Sequence, residues 1–122
     1  MFEVLERRRP EVFGIRVSRR LTTEDYERLI PVLARMVEGR AKLRILVLMD
    51  HFEGWDTPAI GWPDPASEVR FALRLERLAI VGEALWQARL ARLSDPFSPT
   101  QTRFFHKDEV AQAWQWLEEE LP

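Results

Sequence analysis

A chain of 122 residues with 46% hydrophobic content builds one domain over residues 1–122 and hides roughly two-thirds of the surface its unfolded form exposes. A formal net charge of -2 with 31% charged residues excludes both the strongly basic footprint of a nucleic-acid binder and the composition of an acidic tail. The absence of cysteine excludes disulfides, thiolate metal sites and thiol nucleophiles.

Acidic residues at Glu3 and Glu6 stand where a signal peptide is basic, and no stretch approaches the about 20 apolar residues that span a bilayer. A soluble cytoplasmic protein without a transmembrane segment is the expectation. Phe2, Val4 and Glu6 alternate with Glu3, Leu5 and Arg7, and Val12 to Ser18 is again extended beyond a turn at Pro10. That pattern predicts an antiparallel opening hairpin.

Thr22 or Thr23 then offers an N-cap, with Glu24 and Asp25 in the first turn, and Tyr26, Leu29, Ile30, Leu33 and Val37 recur at helical spacing. Pro31 removes one backbone hydrogen bond from this helix and predicts a bend or break near Arg28 to Ile30. Leu43 to Met49 is apolar on both faces, the mark of a strand inside a parallel or mixed sheet.

From Asp50 to Pro65 two Gly and three Pro predict a covering or functional loop, followed by a short helix through Val69, Ala72 and Leu73. Leu78 to Gly82 is a second apolar strand, and Ala84 to Leu93 a helix that Asp95 and Pro96 end. Thr100 to Phe105 reads as a last strand. Val110, Trp114, Leu117 and Leu121 mark a closing helix whose acidic end, Glu118 to Glu120, opposes its own dipole and should fray. The order β-β-α-β-α-β-α-β-α is an α/β fold with a five-stranded mixed sheet, an antiparallel opening followed by parallel β-α turns, and four helices.

The chain resembles the SpoIIAA-like family, whose fold relates to STAS and to lipid-carrying CRAL-TRIO domains. The resemblance rests on Val12 to Ser18, Leu21 to Tyr26, Phe52 to Trp55, Leu78 to Glu83 with Trp86, Pro96 and Phe97, Arg103 to Phe105, and Ala113 to Leu117. It implies self-association and an affinity for apolar small molecules or lipids, without an established catalytic activity. Between Val69 and Leu78 the chain is shorter than the family pattern and lacks its basic, histidine-bearing segment. Where sporulation regulators of this type carry a phosphorylatable serine, Asp50, His51 and Phe52 stand instead, with no hydroxyl until Thr57. A phosphorylation switch there is disfavoured.

Open α/β sheets meet ligands beyond the carboxyl ends of their strands, and aromatic residues crowd that place here. Phe52, Trp55, Ile60, Trp62, Phe71 and Trp86 are the candidate lining of an apolar pocket; the plain alternative is a lid packed on the core. His51 with Asp50 or Glu53 offers acid-base or metal chemistry, but the chain has only two histidines, and His106 follows a different strand. No metal or other cofactor is expected. Arg7, Arg8, Arg9, Arg16, Arg19 and Arg20 can meet anions or merely guard a sheet edge. Gly82 is explained by a tight turn, and Ser94, Ser98, Thr100 and Thr102 have no histidine nearby in sequence.

These observations favour a non-enzymatic binding module for an apolar or amphipathic small molecule. The alternatives are a protein-protein regulator docking through residues 50–75 and, more remotely, an enzyme using His51. Most helices are expected over one face of the sheet, leaving part of the other to a second subunit of a homodimer.

Overall fold

A strand that is apolar on both sides must be covered on both sides, and the centre of this molecule is organised by that requirement. The computed structural model describes residues 2–9, 11–37, 42–55, 74–83, 85 and 100–119, without the side chains of 6–9, 36, 37 and 55. Its strands are β1 (Phe2–Arg9), β2 (Val12–Leu21), β3 (Leu43–Trp55), β4 (Leu75–Gly82) and β5 (Gln101–His106). Helix α1 is Thr23–Val37 and helix α2 is Val110–Glu118, entered through a 3-10 turn at Lys107–Glu109.

The five strands form one sheet in the order β1-β2-β3-β4-β5. β1 and β2 are antiparallel, with Val4 opposite Ile15, and every later neighbour is parallel. The expected α/β class and mixed sheet are therefore present, with both doubly apolar strands inside it. Two helices are described; the predicted one after Pro65, and the predicted one over Ala84 to Leu93 apart from Leu85, lie outside the described residues. No described helix is long and apolar enough to cross a membrane.

Side chains alternate across each strand, so each face takes every second residue. On one face Phe13, Ile15, Val17, Ile45 and Phe52 pack with Leu29 of α1, flanked by Tyr26, Val32 and Leu33. On the other, Val12, Leu46, Ala79, Val81 and Phe105 pack with Ala113, Trp114 and Leu117 of α2. The two described helices thus sit one on each face.

The boundaries differ from expectation where the backbone is irregular. β3 runs through Trp55 instead of giving way to a loop at Asp50. Beyond Asp50 its pairing with β2 shifts twice: Ser18 faces Asp50, Arg19 faces Phe52, and Arg20 faces Gly54. Two extra β3 residues are absorbed by bulges, and the positive φ of Arg19 (53°), His51 (51°) and Gly54 (128°) accompanies them. Pro31 is exposed and α1 continues through it without a break.

Thr22 caps α1: its Oγ1 accepts from the Asp25 N–H at 3.1 Å, and Asp25 Oδ2 accepts from the Thr22 N–H at 2.9 Å. This reciprocal box satisfies donors that the first helical turn leaves open.

At the opposite end of the sheet, two buried arginines hold the acidic end of α2 that was expected to fray. Arg44 and Arg77, paired across β3 and β4, are 5% and 7% exposed. Arg44 Nη1 donates to the Leu117 carbonyl at 2.8 Å and also to the Glu119 carbonyl, while Arg77 Nη1 donates to the Trp116 carbonyl at 2.6 Å. Cations at a helix C-terminus meet the negative end of its dipole and fill acceptors that the last turn leaves open. Glu76 neutralises Arg44 at 2.6 Å and Lys42 at 3.1 Å. Burial pushes the Glu76 carboxyl up, but hydrogen bonds from Lys42 and Arg44, with their charges, outweigh it and hold it below its ordinary value.

Candidate functional site

Of the six residues expected to line a pocket, Phe52 has a described side chain. It is buried in the core under α1 and packs there. Trp55 ends β3 with its backbone opposite Leu21. Ile60, Trp62, Phe71 and Trp86 lie outside the described residues.

A cleft of about 670 Å³ opens at the carboxyl ends of β2 and β3, where the chain turns into α1. One wall is Phe2 of β1, half-buried and packed against the core beneath α1. Arg19 and Arg20 at the end of β2, and Arg28 one turn into α1, are among its lining residues. Thr22, Asp25 and Glu53 complete the lining. Asp25 is committed to the Thr22 cap, whose hydroxyl also donates to Oδ2 at 3.0 Å. Arg28 Nη2 lies 3.5 Å from Glu24 Oε1, a solvent-exposed pair that holds it loosely.

The fold brings these residues together for reasons visible in local structure. Asp25 and Arg28 are three apart on a helix and share a face. Arg19 adopts a left-handed backbone, φ 53°, at the bulge that ends regular pairing. Sequence reasoning left Arg19 and Arg20 between meeting anions and guarding a sheet edge, and gave Arg28 no role. The missed signal is an arginine pair at the end of a strand, followed at once by a Thr22 cap and a basic residue one turn on.

The remaining arginine with a described side chain in the opening hairpin behaves differently. Arg16 points to the α2 face and pairs with Asp50 at 3.6 Å and Glu3 at 3.9 Å. His51 Nε2 lies 3.7 Å from Asp50 Oδ1, an ion-pair distance and not a hydrogen bond, and its side chain is 89% exposed. Glu53 contributes to the cleft instead. His106 serves as a cap, its Nδ1 accepting from the Asp108 N–H at 3.3 Å while Glu109 Oε1 accepts from the His106 N–H at 2.8 Å. Among the described residues no group of three or more His, Cys, Asp or Glu could hold a metal ion.

Comparison with known proteins agrees with this architecture. An uncharacterized protein of the DUF3478 family from Shewanella loihica PV-4, with a SpoIIAA-like fold, superposes with a TM-score of 0.72 at 23% identity, covering 96% of this chain and 92% of that one. No curated protein matches the chain. The SpoIIAA-like family profile matches residues 12–118, from the first residue of β2 to the last of α2. By that match and the sheet it spans, the chain belongs to the SpoIIAA-like family.

Proposed function

We propose that this chain is a non-enzymatic, STAS-like binding module that holds a small amphipathic molecule at the carboxyl edge of β2 and β3. The observation that carries the reading is the cleft of about 670 Å³ at that edge, a volume in the range that suits a small organic ligand. Its apolar wall is Phe2, and β3 leaves the sheet beside it at Trp55, the start of the segment that bears Ile60 and Trp62.

Native mass spectrometry of the purified protein, with a fluorescent fatty-acid probe in parallel, tests it. A bound species, or probe affinity lowered by Phe2→Ala and Trp55→Ala, supports the module. If neither method finds a ligand and both variants change stability alone, the reading fails.

A second copy of the chain is the protein partner that one observation favours. β1 is an edge strand, and its Val4 is 47% exposed on the α1 side of the sheet. Edge strands present unpaired backbone groups, so pairing through β1 would cover both. Light scattering at micromolar concentration decides: a strict monomer rules this association out. The enzyme alternative rests on His51, and loss of any measured activity in His51→Ala with folding intact is what would restore it.

A further inference from the structure

We propose that Phe52 is a movable floor of the cleft, so that withdrawal of its ring opens an apolar slot beneath α1 for the hydrocarbon end of the bound molecule. The assignment rests on the binding reading above and adds where the ligand's apolar part goes. Phe52 is 8% exposed and is not among the residues that line the cleft, but its neighbours are. Arg19 stands opposite it in the ladder, Glu53 follows it in the chain, and both line the cleft. Phe2 lines the cleft and also packs against the core cluster that holds Phe52. Cleft and core therefore adjoin at this ring, and the cluster around it contributes the aliphatic side chains of Val17, Leu21 and Leu29. A dry cavity of that lining takes up apolar molecules in preference to water.

The strand pattern shows why this ring can move. Leu43 and Ile45 of β3 pack on the α1 face, with Val47 and Met49 against the same cluster, so strict alternation would place residue 51 there and send residue 52 to the other face. One extra residue at the first bulge reverses the alternation and turns Phe52 beneath α1. That turn comes with left-handed backbone at His51, φ 51°, and at Arg19, φ 53°, conformations that side chains disfavour. Straightening the bulge relieves this strain and, by a one-residue slip, carries Phe52 off the α1 face. The closed and open arrangements are two registers of one strand end, and a hydrocarbon chain that occupies the vacated space biases the choice between them.

The chain has no cysteine, so Phe52→Cys supplies a single thiol whose reaction with a soluble disulfide reagent reports exposure of that position. Ile45→Cys, in the same core cluster, is the control, and each rate is set against that variant's own stability in urea. The Phe52→Cys thiol should react at least about tenfold faster than the control, because local opening needs less free energy than global unfolding. Adding His51→Gly, which accepts the left-handed backbone, should slow the reaction severalfold. A dansyl-labelled fatty acid should bind Phe52→Ala about tenfold more tightly than the unsubstituted chain, since no ring has to leave first. Phe52→Leu, a milder loss of packing, should shift affinity in the same direction. Equal corrected rates for the two thiols, or a rate that His51→Gly leaves unchanged, overturn the movable floor and leave the binding module standing. Unchanged or weaker binding by Phe52→Ala and Phe52→Leu, with the unsubstituted chain still binding, overturns the slot in the same way. Failure of the unsubstituted chain and both variants to bind overturns the slot and the binding reading together.

Discussion

Gly14 lies under the indole of Trp114 so closely that a Cβ at position 14 would stand 2.6 Å from Trp114 Cη2 and 2.9 Å from Leu5 Cβ. The glycine is therefore a packing requirement of the α2 face, where the helix reaches across the sheet toward the opening hairpin. A side-chain tip can rotate away, but the Leu5 Cβ is fixed to the backbone of β1. Gly14→Ala should destabilise the protein by about 1–3 kcal/mol, the range for overpacking a filled core. In a Trp114→Phe background the penalty should shrink without vanishing, since the Leu5 contact persists. Urea titrations of the four proteins measure both quantities, and an equal penalty in both backgrounds would show that Trp114 is not the obstacle.

Arg44 places one guanidinium between Glu76 and the last carbonyls of α2. Arg44→Met keeps much of the volume but leaves those carbonyls without their donor and Glu76 without its nearest cation. Removing one partner of a buried charged pair costs about 3–5 kcal/mol, and the partial exposure of Glu76 puts this case near the lower figure. Hydrogen exchange should show the loss concentrated in Val110–Glu118. A variant with unchanged exchange there would mean that the arginine does not anchor the helix.

The Glu76 carboxyl titrates below its ordinary value of 4.5 in the folded protein. Folding therefore favours its ionised form, and the stability it contributes is complete above pH 4.5. That contribution is lost as pH falls through the lower folded-state value. Glu76→Gln should flatten the acid limb of the stability profile while lowering stability at neutral pH. Chemical denaturation repeated between neutral pH and about pH 3 checks the slope; parallel profiles for the two proteins would remove Glu76 from the acid response.

Pro31 sits in the middle of α1 and is exposed to solvent. An interior proline costs a helix about 3 kcal/mol through a missing donor and a crowded turn. Pro31→Ala should raise stability by about 1–3 kcal/mol, with an increase in helical circular dichroism. A fall in the melting midpoint would show that the ring is needed where it stands.

His51 holds a left-handed backbone, φ 51°, in an exposed bulge. His51→Gly should be neutral or stabilising by up to about 1 kcal/mol, and His51→Val should cost about 1–2 kcal/mol, because a β-branched side chain resists that conformation. The ordering of the two melting midpoints is the measurement. If valine is the more stable variant, the bulge is not under conformational strain.

The interior strands were legible because Leu43 to Met49 and Leu78 to Gly82 are apolar on both faces, and little else satisfies such a run. The continuation of β3 to Trp55 was hidden, since Gly54 and a polar His51 read as loop when pairing with β2 is unknown. The arginine anchors were hidden for a different reason. The partner that gives Arg44 its meaning is the carbonyl of Leu117, 73 residues away, and short-range periodicity has no access to it. The cleft was half legible: its place at the carboxyl edge follows from parallel topology, whereas the grouping of its charged residues depends on a bulge at Arg19 and on the helical face shared by Asp25 and Arg28.

The anchoring of α2 by Arg44 and Arg77 also constrains the order in which the molecule can mature. Until residues 116–119 have been made and delivered, two cations planted in the middle of the sheet have no oxygen of that helix to meet them. A nascent chain that has reached only β4 already holds Glu76 against Arg44, but the α2 carbonyls that both arginines meet in the finished fold come from a segment far downstream.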